Sequence, residues 1–131
     1  MLVVDASAVI ELLLGTRRGR AVMEAMETSE TLHAPDILGV EIVSALRKLV
    51  RVAGLSGEAA EHALHTLDAL GIEMYDPAPF LARMLQLSDT LTAYDASYVA
   101  LAEVLDAPVL TCDKPMAASH GHRAAIRLVD E

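Results

Sequence analysis

Two short, continuous apolar runs that each end at an aspartate constrain the fold of this chain most. Leu2-Val3-Val4 is followed by Asp5, and the late run at 108–112 is followed by Asp113. Runs of this kind are typical of strands buried on both faces, which occur mainly where helices cover a parallel sheet. Since the carboxyl ends of parallel strands face the ligand crevice, Asp5 and Asp113 are predicted to meet at one sheet edge.

Length and composition limit the number of domains and the class of protein. With 131 residues, of which 53% are hydrophobic, we expect one domain spanning residues 1–131 with a sizeable core. No apolar stretch approaches the length of a bilayer span, and the amino terminus lacks the pattern of a secretory signal. Together with the single cysteine, Cys112, these features predict a cytoplasmic protein with no membrane association and no internal disulfide.

The apolar periodicity and the capping residues predict alternating helices and strands. Strands are expected at 2–4, 31–34, 72–74, 108–112 and 126–129, and helices at 6–14, 17–26, 37–52, 57–70, 79–87 and 93–105. The first two helices are predicted to form a hairpin. The alternation predicts an α/β fold, an α/β/α sandwich around a mostly parallel central sheet.

Two further acids stand at unusual positions on predicted helices. Glu41 lies on the apolar stripe of its helix without a basic residue four positions later, so it is neutral, close to the rim, or beside a cation. Asp95 follows Thr92 in the pattern of a capping box, which would explain it fully. Its helix is nevertheless apolar nearly all round, which predicts that its first turn lies close to the sheet edge. Both roles are compatible.

The alternative for all of these acids is a structural one, in which they serve as helix caps and rim charges. Four converging carboxylates would repel one another by roughly 4 kcal/mol per close pair at an effective dielectric constant of 20, so convergence requires counter-cations. Hard oxygen ligands select Mg²⁺ or Mn²⁺ over zinc, and such a site supports phosphodiester hydrolysis. The net charge of −9 opposes a nucleic-acid partner unless bound cations offset it.

Four segments together resemble a known family. They are VVDASAV at the amino terminus, DILGVEIVSALRKL around Glu41, LTAYDASYVALA around Asp95, and PVLTCDKPMA around Asp113. In order and spacing they resemble the PIN-domain ribonucleases, specifically the VapC-type toxins of bacterial toxin–antitoxin modules. The resemblance covers the whole chain and implies a PIN-like sandwich.

The resemblance also implies an activity and a site. It implies a magnesium-dependent endoribonuclease in which Mn²⁺ can substitute, with an acidic quartet of Asp5, Glu41, Asp95 and Asp113. Hydroxyls that orient these carboxylates would be those of Ser7 and Thr111. The expected partners are the RNA substrate, a VapB-type antitoxin that inhibits the enzyme, and a second copy of the chain in a homodimer.

Several other side chains receive a structural interpretation. Arg47, Lys48 and Arg51, like the arginines at 17, 18 and 20, are expected on solvated helix faces, with contact to RNA as the alternative. Aromatic residues make up only 3% of the chain, so stacking platforms for single-stranded nucleic acid are not expected. The histidines at 62, 65, 120 and 122 lack partners that would complete a zinc set.

Two other classes of protein compete with the nuclease. A receiver-like signalling domain also binds Mg²⁺ at strand ends, but the acid pair, middle-strand aspartate and late lysine of that class are absent from this sequence. A non-catalytic interaction domain would use the acids as caps. An apolar surface lies on the first two helices, with Leu12 to Leu14 on one and Val22, Met23 and Met26 on the other, and is predicted to serve association with a second copy and with the antitoxin.

Overall fold

A parallel sheet forms the centre of the fold. The computed structural model describes residues 1–130, and within them a five-stranded sheet has the order β3-β2-β1-β4-β5 with every neighbouring pair parallel. The strands are β1 (Leu2–Val4), β2 (Leu32–Pro35), β3 (Glu73–Tyr75), β4 (Val109–Thr111) and β5 (Ile126–Leu128). The predicted α/β class is confirmed, and the predicted strands agree with these bounds to within a residue at each end.

Helices supply the crossovers that parallel strands need. They are α1 (Ala6–Leu13), α2 (Arg17–Glu27), α3 (Leu38–Val52), α4 (Gly57–Ala69), α5 (Leu81–Gln86), α6 (Ala93–Leu105) and α7 (Lys114–Ala117), with a 3₁₀ turn at Ala78–Phe80. The sequence did not predict α7, because four residues are too few to show an apolar period. None of the helices within residues 1–130 combines the length and apolar character of a membrane crossing.

The central strands are buried on both faces, as predicted. Leu2, Val3 and Val4 are at most 1% exposed, although successive side chains on a strand point to opposite faces. Helices therefore cover the sheet on both sides. Helix α6 contacts β1, β2 and β4 and is buried over most of its length, which brings its first turn to the carboxyl edge of the sheet.

Helices α1 and α2 form the predicted hairpin, and most of its apolar side chains are buried. A Cβ added at Gly19 would lie 2.6 Å from the carbonyl carbon of Glu11 and would overlap its oxygen, so the two helices approach as closely as glycine allows. Leu12, Val22 and Met26 are at most 7% exposed and lie in the core, and Leu13 and Leu14 are half-buried and pack against it. Met23 is 48% exposed, so only part of the predicted docking surface is accessible, and docking on this hairpin stays a prediction.

The register of the two central strands aligns their carboxyl ends. Val4 pairs with Leu110, and the Asp5 N–H donates to the Leu110 carbonyl at 3.2 Å. Asp5 therefore lies beside Thr111, and Asp113 follows two residues later on the same edge.

Candidate active site

Asp5 ends β1, caps the amino terminus of α1 and lies at the bottom of the candidate site. Its Oδ1 accepts hydrogen bonds from the Ala8 N–H at 2.9 Å and the Ser7 hydroxyl at 2.8 Å, and its Oδ2 accepts one from the Thr111 hydroxyl at 2.5 Å. The residue is 3% exposed. Burial raises the pKa of Asp5 to about 6, even though these hydrogen bonds favour the charged form, and the charge of Asp95 raises it further.

Ser7 and Thr111 join the two strand ends through their hydroxyl groups. The Ser7 oxygen accepts a hydrogen bond from the Cys112 N–H, and the Thr111 oxygen accepts one from the Asp113 N–H, both at 2.9 Å. The two hydroxyl oxygens lie 3.2 Å apart. Each hydroxyl therefore donates to one Asp5 oxygen and accepts from one backbone N–H directly after β4. This arrangement is suited to orienting the Asp5 carboxylate.

Glu41 lies in the first turn of α3, half-buried at the rim of the site. The Tyr98 hydroxyl donates to Glu41 Oε1 at 2.6 Å, and Tyr98 is only 1% exposed. Burial raises the pKa of Glu41, against the lowering effect of the Tyr98 hydrogen bond, and the charge of Asp95 raises it further. Burial and Glu41 together raise the pKa of Tyr98 well above its usual range, so the phenol keeps the proton that it donates.

Asp95 serves the start of α6 and also faces the other acids. Thr92 caps the helix and its hydroxyl accepts a hydrogen bond from the Asp95 N–H at 3.1 Å. Burial raises the pKa of Asp95, the charge of Asp113 raises it further, and a hydrogen bond with the Thr92 side chain opposes both. Asp113 caps α7, and its Oδ2 accepts a hydrogen bond from the Met116 N–H at 3.3 Å.

All four predicted acids line one cavity of about 300 Å³, together with Ser7. None of the four forms an ion pair with lysine or arginine within residues 1–130. As placed, no three His, Cys, Asp or Glu side chains among those residues form a set tight enough to hold one ion. The four acids therefore lie in one cavity, where their like charges repel, but they do not form a coordination shell. The metal shell remains a prediction.

The cavity includes four residues that the sequence did not place in the site. Tyr98 was missed, although its spacing of three residues from Asp95 places both on one face of α6. Glu11 and Arg18 also line the cavity, with Arg18 Nη1 3.9 Å from Glu11 Oε1, so Arg18 is not simply solvated as expected. Cys112 lies at the wall, where burial raises the pKa of its thiol to about 11 and keeps it protonated at neutral pH.

Comparison with known proteins assigns the family. The PIN domain model matches residues 2–118, and the chain therefore belongs to the PIN-domain family. It is 41% identical over 129 residues to Ribonuclease VapC12 of Mycobacterium tuberculosis, covering 98% of this chain and 99% of the relative. It is also 34% identical over 120 residues to Ribonuclease VapC3 of Pyrobaculum aerophilum, covering 88% and 92%. Within the family it groups with the VapC proteins.

Solved structures agree on the fold. A chain of a toxin–antitoxin complex from Klebsiella pneumoniae superposes with a TM-score of 0.72 at 17% identity, covering 100% of this chain and 99% of that one. VapBC2 from Rickettsia felis, solved bound to a DNA fragment from its promoter, gives a TM-score of 0.65 at 12% identity, with 98% of both chains covered. The PIN-like sandwich predicted from the sequence is confirmed.

Proposed function

We propose that this protein is a Mg²⁺-dependent endoribonuclease that hydrolyses RNA phosphodiester bonds, and that Mn²⁺ can replace Mg²⁺. The observation that carries the proposal is the shared cavity of Asp5, Glu41, Asp95 and Asp113, none of which forms an ion pair with a lysine or arginine within residues 1–130. Kinship with ribonucleases of the VapC group supports RNA as the substrate. Family membership sets aside the receiver-like alternative.

The four acids fit a hard divalent cation, because their donors are carboxylate oxygens and the Cys112 thiol at the cavity wall stays protonated at neutral pH. When bound, such an ion polarises a phosphoryl oxygen and lowers the pKa of water. Within the protein, Ser7 and Thr111 hold both oxygens of Asp5, and Tyr98 holds one oxygen of Glu41. These hydroxyls favour the charged carboxylates and leave their remaining lone pairs free for the cation.

The test is RNA cleavage by the wild type and by Asp95→Asn, each with Mg²⁺, with Mn²⁺ and with EDTA. The substitution keeps the side-chain shape but removes a charge, so cleavage is expected to fall by at least about 100-fold while the melting temperature is retained. Asp68→Asn, at an exposed position on α4, is the matched control and is expected to cleave as the wild type does. Equal cleavage by the wild type and Asp95→Asn would favour the purely capping role, and no cleavage by the wild type would favour an interaction domain.

An antitoxin of the VapB type is part of the proposal, as is its inhibition of the enzyme. The site proposed for its amphipathic segment is an apolar groove of about 420 Å³ between α3 and α4, lined by Val43, Val50 and Leu64, which are 38–42% exposed. The α1–α2 surface predicted from the sequence is the alternative site, with Met23 as its exposed side chain. The net charge of −9 would attract a basic partner at a rate that falls as salt rises.

A homodimer and a cytoplasmic location complete the proposal. The supporting surface for a dimer is on α5 and α6, where Leu81, Leu85 and Val104 are 56%, 77% and 66% exposed. Sedimentation of the wild type and of Leu85→Glu tests this part, since the charge is expected to shift a dimer toward monomer. A cytoplasmic location accords with an RNA substrate.

A further inference from the structure

A larger groove opens beside the acid cavity. Its volume is about 780 Å³, and its lining includes the exposed face of α3 and Tyr94 at the start of α6. The groove and the acid cavity share Ala6, Ser7, Ile10 and Glu41, so one leads into the other. A molecule lying in the groove would therefore reach the carboxylates at Glu41.

One wall of this groove carries three cations. Arg47, Lys48 and Arg51 line it, all are exposed, and the spacings 47–51 and 48–51 place them on one side of α3. None of the three pairs with an acid within residues 1–130. In a chain with a net charge of −9, such a concentration of unpaired positive charge favours an anionic ligand at this wall.

The spacing along α3 fits a short single strand. Lys48 lies seven residues after Glu41, which is about 10 Å along the helix axis, and Arg51 lies about 15 Å away. The cations thus extend from the edge of the acid cavity over less than half a duplex turn of about 34 Å. A backbone of a few nucleotides spans this length.

Tyr94 adds a surface for a base. Its side chain belongs to a residue that is 62% exposed, it lines the groove, and it directly precedes Asp95 of the acid cavity. An exposed aromatic face stacks with any base and does not require a particular sequence. The low aromatic content therefore does not exclude stacking, because one tyrosine at the mouth of the site is sufficient for one base.

We propose that this groove holds a single-stranded RNA segment next to the bond that is cut, with its phosphates on Arg47, Lys48 and Arg51 and one base on Tyr94. The inference rests on the proposed function and assigns a path for its substrate. It makes the three cations and Tyr94 determinants of RNA binding, and it gives them no part in the chemical step. Their contribution can therefore be measured without cleavage.

The experiment measures binding of a fluorescein-labelled oligouridylate of about 12 nucleotides to the full chain in EDTA, over a range of salt concentrations. Replacing Arg47, Lys48 and Arg51 together by Gln is expected to weaken binding at least about tenfold and to lower the salt slope by about 2. The charge-matched control replaces Arg17, Arg20 and Arg127, which are exposed and lie outside this groove, and is expected to stay within about threefold of the wild type.

Tyr94 is tested in the same assay with two variants. Tyr94→Ala is expected to weaken binding by about fivefold to tenfold with an unchanged salt slope, because it removes stacking and leaves the charges in place. Tyr94→Phe keeps the ring and is expected to bind as the wild type does.

The outcomes separate this inference from the function on which it rests. The assignment of the groove as the RNA site would be overturned by any one of three results. These are no RNA binding by the wild type, equal losses of affinity in the two charge-matched triple variants, or equally tight binding of an oligoglutamate of the same length. If the wild type binds as expected but cleaves no RNA with Mg²⁺ or Mn²⁺, the nuclease proposal fails and the groove stands. If it cleaves while the groove variants bind normally, the groove fails alone.

Discussion

Asp5 and Glu103 are two carboxylates with little exposed surface and with opposite electrostatics. Asp5 is 3% exposed, and the side chain of Glu103 is 2% exposed. Arg83 donates to both Glu103 oxygens, at 2.8 and 2.9 Å, and this pair together with the Arg123 N–H lowers the pKa of Glu103 to about 2. Around Asp5 burial dominates instead and raises the pKa to about 6.

The difference lies in the cations that the fold supplies. Arg83 ties α5 to Glu103 of α6 and also donates to the Gly121 carbonyl at 3.1 Å, so the pair holds three parts of the chain together. Within residues 1–130, no lysine or arginine forms such a pair with Asp5 or with the three acids that share its cavity. Glu103 is thus neutralised by the fold for a structural purpose, whereas the quartet keeps a charge that an external cation can balance.

Breaking the pair at Glu103 should give the largest change in stability. Arg83→Ala leaves a buried carboxylate without its bidentate partner, and the free energy of unfolding is expected to fall by about 2–3 kcal/mol in urea denaturation. Arg47→Ala removes an exposed arginine that has no ion pair among residues 1–130, and it is expected to change the free energy of unfolding by less than about 0.5 kcal/mol. A similar loss of unfolding free energy in both variants would show that the Arg83–Glu103 pair contributes no more to stability than an exposed, unpaired arginine.

The pH dependence of stability should carry opposite contributions from the two acids. The Glu103 contribution is present above the usual pKa of 4.5 and is lost as pH falls toward about 2. Asp5 binds its proton more tightly in the folded state, so stability falls as pH rises between 3.8 and about 6. In EDTA, unfolding free energies should drop by about 1–2 kcal/mol between pH 5 and 7.5, and Asp5→Asn should flatten this drop. A stability that rises over this range would contradict the assignment.

Removing the Tyr98 hydroxyl, which contacts one of the four acids in the cavity, should have a smaller effect. Tyr98→Phe removes the hydrogen bond to Glu41, with an expected loss of about 1 kcal/mol in unfolding free energy and a roughly tenfold weaker affinity for Mn²⁺. Tyr94→Phe is the matched control on the same helix, because Tyr94 is exposed, and should change neither quantity. Unchanged Mn²⁺ affinity in Tyr98→Phe would remove Tyr98 from the positioning of Glu41.

The sequence predicted the elements that depend on local pattern. The strands β1 and β4 were recognisable because both of their faces are apolar, and Asp5 and Asp113 could be placed because each follows such a run. Glu41 and Asp95 were found because a carboxylate on an apolar helix face is costly without a partner. Their gathering into one cavity followed from parallel topology and from kinship to a family.

Features that depend on contacts between distant segments were not predictable. Arg83 and Glu103 lie twenty residues apart on separate helices, and no local pattern connects them. In the sequence Tyr98 resembles an ordinary core residue, and only the tertiary structure shows that its hydroxyl reaches Glu41 on another helix. The sequence also did not show how much of the α1–α2 apolar surface is buried, because the close approach of the two helices at Gly19 is a contact between separate elements.

Calorimetric titration of Mn²⁺ at pH 7.5 tests the central claim most directly, because it compares the two kinds of buried acid in one measurement. The wild type and Glu103→Gln are expected to bind Mn²⁺ with the same affinity, while Asp95→Asn should lose more than about 100-fold. Saturable binding that is lost only with the quartet would establish the acid cavity as the metal site. Absence of binding by the wild type, or equal binding by all three proteins, would contradict it.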